Sequence, residues 1–380
     1  MVETADWIPR TINLAERTHP KRATVIYGPR RVGKTSLVEH WLAGLDGRRV
    51  LRAVGDDILV RSLLSSQDAS RIVAWTMGYD VLFLDEAQRI PEVGWALKIL
   101  VDARPDLTII ATGSASFALA GQVGEPLTGR QTPLALYPIS VSESPGNNFE
   151  IIEQLPGLLV YGMYPEVRTA GSDTERAETL RELTSSYLFK DILELERVKG
   201  AGLLLDLLTL IALQVGSLVS LSELASTLGI AVKTVARYLD LFEKSYVLFN
   251  LRGFSRNLRE EVTRTSKYYF YDTGVRNAVL NNFNPLRARD DGGALWENFL
   301  VMERIKARSN QRKDARMFFW RTWQQAEIDL IEDVGGNLGA FEFKTNPLRR
   351  VRAPSQFVEA YPDATFQVVT PDNWLDFVRL

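Results

Sequence analysis

Cysteine is absent from the 380 residues, and histidine occurs only at positions 19 and 40. The first absence excludes disulfides, thiolate zinc sites and a cysteine nucleophile. The second argues against a histidine metal site or a Ser-His-Asp triad, because His19 and His40 stand far from any acidic cluster. Long apolar runs are missing as well. The longest, "AGLLLDLLTLIALQVG", is broken by Asp206 and falls short of the ~20 residues a membrane helix needs, so a buried helix is expected. The first residues lack the basic-then-apolar order of a secretory signal, and a soluble cytoplasmic protein without a membrane partner is expected. Charge of one sign is not in excess: the net charge is -2, with 46% hydrophobic and 24% charged residues. Any nucleic-acid binding must therefore be local. Chemistry is left to carboxylates, hydroxyls, lysine, arginine and backbone amides.

The length favours about two or three domains. The most informative stretch is "ATVIYGPRRVGKTSLVEHWL". A β-branched run, Thr24 to Tyr27, enters a G-x-x-x-x-G-K-T loop, and an amphipathic helix pattern leaves it. Gly28 and Gly33 let the loop curl so that, with Pro29 shaping the turn, the amides of Arg30, Arg31, Val32 and Ser36 and the helix N-terminus face phosphates. Lys34 is then expected to bridge the β- and γ-phosphates of ATP, and the Thr35 hydroxyl to ligate Mg²⁺. "GYDVLFLDEAQRI" then gives a buried strand, Val81 to Leu84, ending in Asp85 as a second Mg²⁺ residue and Glu86 to polarise the attacking water. "LTIIATGSAS" ends a third strand in Thr112 and Ser114, placed to bond the γ-phosphate or the water. Arg130 precedes an expected strand, Pro133 to Leu136, and is a candidate γ-phosphate reader in cis or a finger reaching a neighbouring subunit.

These segments, with "LTGR" and "YPIS", resemble in order the archaeal and bacterial AAA_14 ATPases of the additional-strand P-loop class. "YFYDTGVRNAVL", "LWENFL" and "AEIDLI...FEFKTN" are similar to the DUF4143 domain that follows it in those proteins. The resemblance implies an ATPase core, a winged-helix-like middle and a C-terminal fold similar to PD-(D/E)xK nucleases. "YGMYPEV" also resembles a family signature, with no chemistry attached to it.

Beyond "SPGNNFE" the pattern becomes helical. From Gly200, three helical segments and two strand-like flanks follow the winged-helix plan. Ser222 is expected to open the second helix, and Val232, Val235 and Leu239 to face inward on the third. Lys233 and Arg237 on that helix, with Arg256, Arg264 and Lys267 along the wing, are the candidate DNA contacts. The bland reading is an ordinary solvated face. Asp272 is expected to cap a helix. Near the end, Asp329 and Glu342 on strands, Lys344, and Glu297 on a helix fit the D-x(n)-E-x-K pattern of a nuclease holding Mg²⁺ or Mn²⁺. A salt-bridged scaffold is the rival reading. Arg349, Arg350 and Arg352 follow as candidate backbone anchors.

The expected architecture is multidomain α/β. A P-loop parallel sheet occupies 1–145, a helical connector 146–199, a winged-helix-like unit 200–285 and a nuclease-like α/β unit 286–380. The expected function is Mg²⁺-dependent ATP hydrolysis coupled to action on DNA, alone, as a homo-oligomer or with a protein partner. The alternative is a slow nucleotide-dependent switch that binds DNA or protein over an inactive nuclease-like scaffold.

Overall fold

The computed structural model describes residues 7–113, 127–187, 201–254 and 266–380. The first part of the chain builds a parallel sheet from β1 Ala23–Tyr27, β2 Val50–Val54, β3 Val81–Asp85, β4 Thr108–Gly113 and β5 Gln131–Ala135. The spatial order is β2-β3-β4-β1-β5, so β4 is the extra strand between β1 and β3. Apolar alternation feeds a core on each face. Ile26, Phe83 and Ile110 join one core with Leu37 and Val38 of α1 (Lys34–Ala43). Val25, Leu84 and Ile109 join the other with Val93 and Leu97 of α2 (Val93–Ala103). A parallel sheet covered on both faces requires strands apolar on both faces, and all of β1 is buried. The carboxyl ends of β1 and β3 therefore open at one edge, where such sheets bind ligands.

Next come α3 (Asn148–Tyr161), the short α4 (Pro165–Thr169) and α5 (Asp173–Glu182). Asn147 caps α3 by accepting the Glu150 amide at 3.1 Å. Then follow α6 (Ala201–Leu213), β6 (Leu218–Val219), α7 (Leu221–Leu228), α8 (Val232–Lys244), β7 (Leu248–Gly253) and β8 (Ser266–Phe270). Ser220, rather than the expected Ser222, caps α7 through the Glu223 amide. On α8, Val235 and Leu239 are buried as expected, but Val232 is exposed because it lies at the first turn.

After α9 (Thr273–Val279) and α10 (Gly292–Gln311) come β9 (Arg316–Arg321), β10 (Glu327–Val334), β11 (Asn337–Phe343), α11 (Ser355–Ala360), β12 (Thr365–Val369) and α12 (Trp374–Arg379). The strands from β6 onward form a single seven-stranded sheet, ordered β12-β11-β10-β9-β7-β8-β6. Parallel pairing of β7 with β9 at Arg252–Phe318 and Gly253–Phe319 carries it across the expected boundary at 285/286. Helix α10 ties the pieces together. Its Asn298 bonds both the amide and the carbonyl of Phe270 at 2.8 Å, and its Glu303 accepts the Val141 amide at 2.6 Å. Among the described residues no helix is long and apolar enough to cross a membrane.

Candidate nucleotide site

The loop between β1 and α1 is shaped by contact with β5. Gly28 has φ 154°, and a Cβ there would strike the Leu136 carbonyl oxygen, so only glycine lets the loop leave the sheet here. Lys34 is buried, and its Nζ donates to the carbonyls of Gly28 at 3.0 Å and Pro29 at 2.8 Å. The lysine is thus held over the loop whose amides open the helix.

Across the cleft, the Thr35 hydroxyl donates to Asp85 Oδ2 at 2.9 Å. Thr112 Oγ1 donates to the other Asp85 oxygen, and the Glu86 amide reaches Thr112 Oγ1 at 3.3 Å. The start of α1 and the ends of β3 and β4 therefore converge through one carboxylate. A hydroxyl beside a carboxylate is a hard oxygen pair of the kind Mg²⁺ takes, so Thr35 and Asp85 fit the ion. Glu86 holds φ 51°, in the left-handed region, and accepts from Gln88 Nε2. This turn sets its carboxylate beside the cleft, where a water-polarising acid is useful.

A cavity of about 470 Å³ is lined by Arg30, Arg31, Lys34, Thr35, Glu86 and Glu166, among others. Glu166 is the acid of "YGMYPEV". Pro165 starts α4, Tyr164 is buried beneath it, and Glu166 Oε2 meets the Arg31 guanidinium at 3.0 Å. Glu182 at the end of α5 takes the same guanidinium at 2.9 Å. Behind the loop, buried Arg10 donates to the Val32 carbonyl at 2.9 Å, the Tyr137 carbonyl at 2.7 Å and Glu143 at 3.0 Å. Burial opposes the Glu143 charge, but Arg10 and nearby amides hold its pKa below the ordinary carboxylate value. Sequence reasoning missed Arg10, Glu166 and Glu182. Only the quoted YGMYPEV segment offered a signal, and it carried no chemistry.

Other expected residues land elsewhere. Arg130 precedes β5 and its carbonyl accepts the Ala23 amide, which puts it at the opposite end of the sheet from the loop. Its Nε pairs with Asp102 at 2.6 Å, so a cis contact with a γ-phosphate does not fit this arrangement. Ser114, Arg256 and Arg264 lie outside the described residues. Lys233 and Arg237 are exposed on α8.

Lys267 corrects the expectation of a DNA-contacting wing lysine. Only 1% exposed, it pairs with Glu327 at 2.6 Å and Glu297 at 3.2 Å, because β8 lies inside the sheet facing α10. Burial opposes its charge, yet these acids raise its pKa. Tyr269 donates to the same Glu297 oxygen at 2.6 Å. The register pairing Leu330 with Phe341 brings Asp329 beside Glu342, and the Phe343 amide donates to Asp329 at 2.8 Å. Burial first, then Asp329, pushes Glu297 up to about 7. Burial also raises Asp329 and Glu342. Lys344 is committed to Glu342 at 2.6 Å. The four expected residues thus gather in one region, but among the described residues no three acids or histidines group as a metal would require. As arranged, Lys267 and Lys344 hold carboxylates of this cluster in ion pairs.

A phosphate-binding loop, an acid-ended strand and an extra strand between them define a P-loop ATPase-like fold. Consistent with that class, an AAA domain, AAA_14, matches residues 20–144, and a domain of unknown function, DUF4143, matches residues 292–375, as the resemblance implied. A further domain of unknown function, DUF8612, matches residues 152–286. The chain is 29% identical over 335 residues to the uncharacterized protein Rv2008c of Mycobacterium tuberculosis, covering 87% of this chain and 72% of that one. It is 22% identical over 314 residues to the uncharacterized protein MJ1544 of Methanocaldococcus jannaschii, covering 75% and 66%. Domain III of the Thermotoga maritima replication initiation protein DnaA aligns at 17% identity and a TM-score of 0.27, covering 47% of this chain and 85% of that one; at that score the likeness bears no weight.

Proposed function

We propose that this protein binds and hydrolyses ATP with Mg²⁺ and uses its nucleotide state to control the helical and C-terminal parts of the chain, acting on DNA. The carrying observation is the convergence of Thr35, Thr112 and Glu86 on Asp85 opposite Lys34. In this reading Lys34 and the loop amides hold the phosphates, Thr35 and Asp85 hold Mg²⁺, Thr112 orients Asp85, and Glu86 polarises water. Phosphate release measured with wild type and Lys34→Ala tests it. Turnover is expected in the first and lost in the second; equal Mg²⁺-dependent turnover in both overturns the assignment.

The order α6-β6-α7-α8-β7-β8 supports a winged-helix reading, in which exposed Lys233 and Arg237 on α8 offer phosphate contacts. For the C-terminal cluster, a non-cutting, nucleotide-dependent binding role is favoured by the pairing of Lys344 with Glu342 and Lys267 with Glu327. Incubating DNA with Mn²⁺ and wild type or Asp329→Ala decides this point. Salt-sensitive binding without cleavage is expected; cleavage lost in the variant overturns the non-cutting role.

A further inference from the structure

One basic side chain of the phosphate loop is engaged by the opposite wall of its own cavity. Arg31 belongs to the loop, holds φ 60°, and bonds Glu166 on α4 and Glu182 on α5. A non-glycine residue in that backbone region is costly and persists where surrounding contacts hold it. Both carboxylates are about half exposed, at 51% and 56%, whereas the guanidinium is 23% exposed. Such pairs are weak enough to exchange.

The competing charge arrives in the same space. Glu166 lines the cavity with Lys34 and Thr35, so a triphosphate seated on Lys34 brings several negative charges beside a carboxylate. Phosphate oxygens accept the planar guanidinium fork as well as carboxylates do.

We propose that Arg31 is a phosphate-reading residue of the nucleotide site, held in check by Glu166 and Glu182. A triphosphate takes the guanidinium from the two acids, and the α4–α5 wall separates from the loop. The acids are positioning residues that act through Arg31, and together they lower nucleotide affinity. This rests on the ATP-binding reading above.

Titration with a fluorescent ATP analogue tests the exchange. Each exposed pair is of a size that changes affinity about two- to fivefold, so Glu166→Gln with Glu182→Gln should raise ATP affinity by about tenfold. Arg31→Ala should lower affinity for ATP more than for ADP. A purely structural ion pair predicts unchanged or weaker binding in the double variant, and that result overturns the proposal. The cysteine-free chain allows a second reading with spin labels at Arg48→Cys and Glu178→Cys. ATP should shift their distance distribution toward that of the nucleotide-free double variant; a distribution unmoved by bound ATP also overturns it. If wild type binds no nucleotide, the ATP reading falls and the exchange with it, whereas binding without these changes defeats the exchange alone.

Discussion

Replacing Asp272 by alanine should loosen the junction between "YGMYPEV" and "YDTGVRNAVL". Asp272 caps α9, as expected, by accepting the Val275 amide at 3.1 Å, and its second oxygen accepts the Met163 amide at 2.7 Å. It is 4% exposed, and a Cβ on Gly162 or Gly274 would press on its carboxylate. Alanine strands two buried amides at about 1–3 kcal/mol each. The lost cap overlaps with that cost rather than adding to it. Relief of an unfavourable burial works the other way, since burial raises the Asp272 pKa. The net expectation is about 3 kcal/mol, or roughly a 150-fold rise in local opening. Hydrogen exchange on peptides spanning 158–167 and 270–279 reads this directly, without assuming that the whole chain unfolds in one step. Asp272→Asn keeps one acceptor oxygen but turns its NH2 toward the other amide, so it should fall between wild type and Asp272→Ala. Exchange in Asp272→Ala within threefold of wild type would refute the reasoning.

Three other outcomes are expected. Gly55→Ala should cut ATP turnover far more than ATP affinity, because its Cβ would collide with the Glu86 carbonyl and move the acid turn; kcat and KM measured together check this. Glu332→Ala should destabilise by about 3–5 kcal/mol, since it leaves Arg304 and Arg308, both bonded to Glu332, without their shared carboxylate; the urea midpoint reads the loss. Glu297 titrates at about 7 against an ordinary 4.5, burial being the largest cause. The folded state therefore keeps a proton that the unfolded chain has released, and this contribution falls as pH rises from about 4.5 to 7. Glu297→Gln should flatten that part of the stability profile by up to about 1 kcal/mol per pH unit, and an unchanged slope in urea melts would count against it.

The phosphate loop was legible because its chemistry is contiguous: strand, glycine turn, lysine and helix follow one another, and spacing alone sets their geometry. The acid-ended β3 and hydroxyl-ended β4 were legible for a similar reason, as buried runs that stop at polar residues. Their convergence on a single Asp85 carboxylate was not, since it depends on β4 lying between β1 and β3. The charged cluster shows the same divide. Strand alternation put Glu342 and Lys344 on one face and suggested Asp329 as a partner, but Lys267 and Tyr269 enter from β8, more than fifty residues away in the chain.

By itself the sequence determined the cradle for phosphates, the apolar strands that carry it, the lack of cysteine, and the Asp272 helix cap. Tertiary structure alone decided that Lys267 is buried, that Arg130 stands at the far end of β5, that one sheet joins β6, β7 and β8 to the C-terminal strands, and that Glu166 and Glu182 close on Arg31. The physical reason is that local periodicity fixes which face a side chain takes. What packs against that face is set by pairing between segments far apart in the chain.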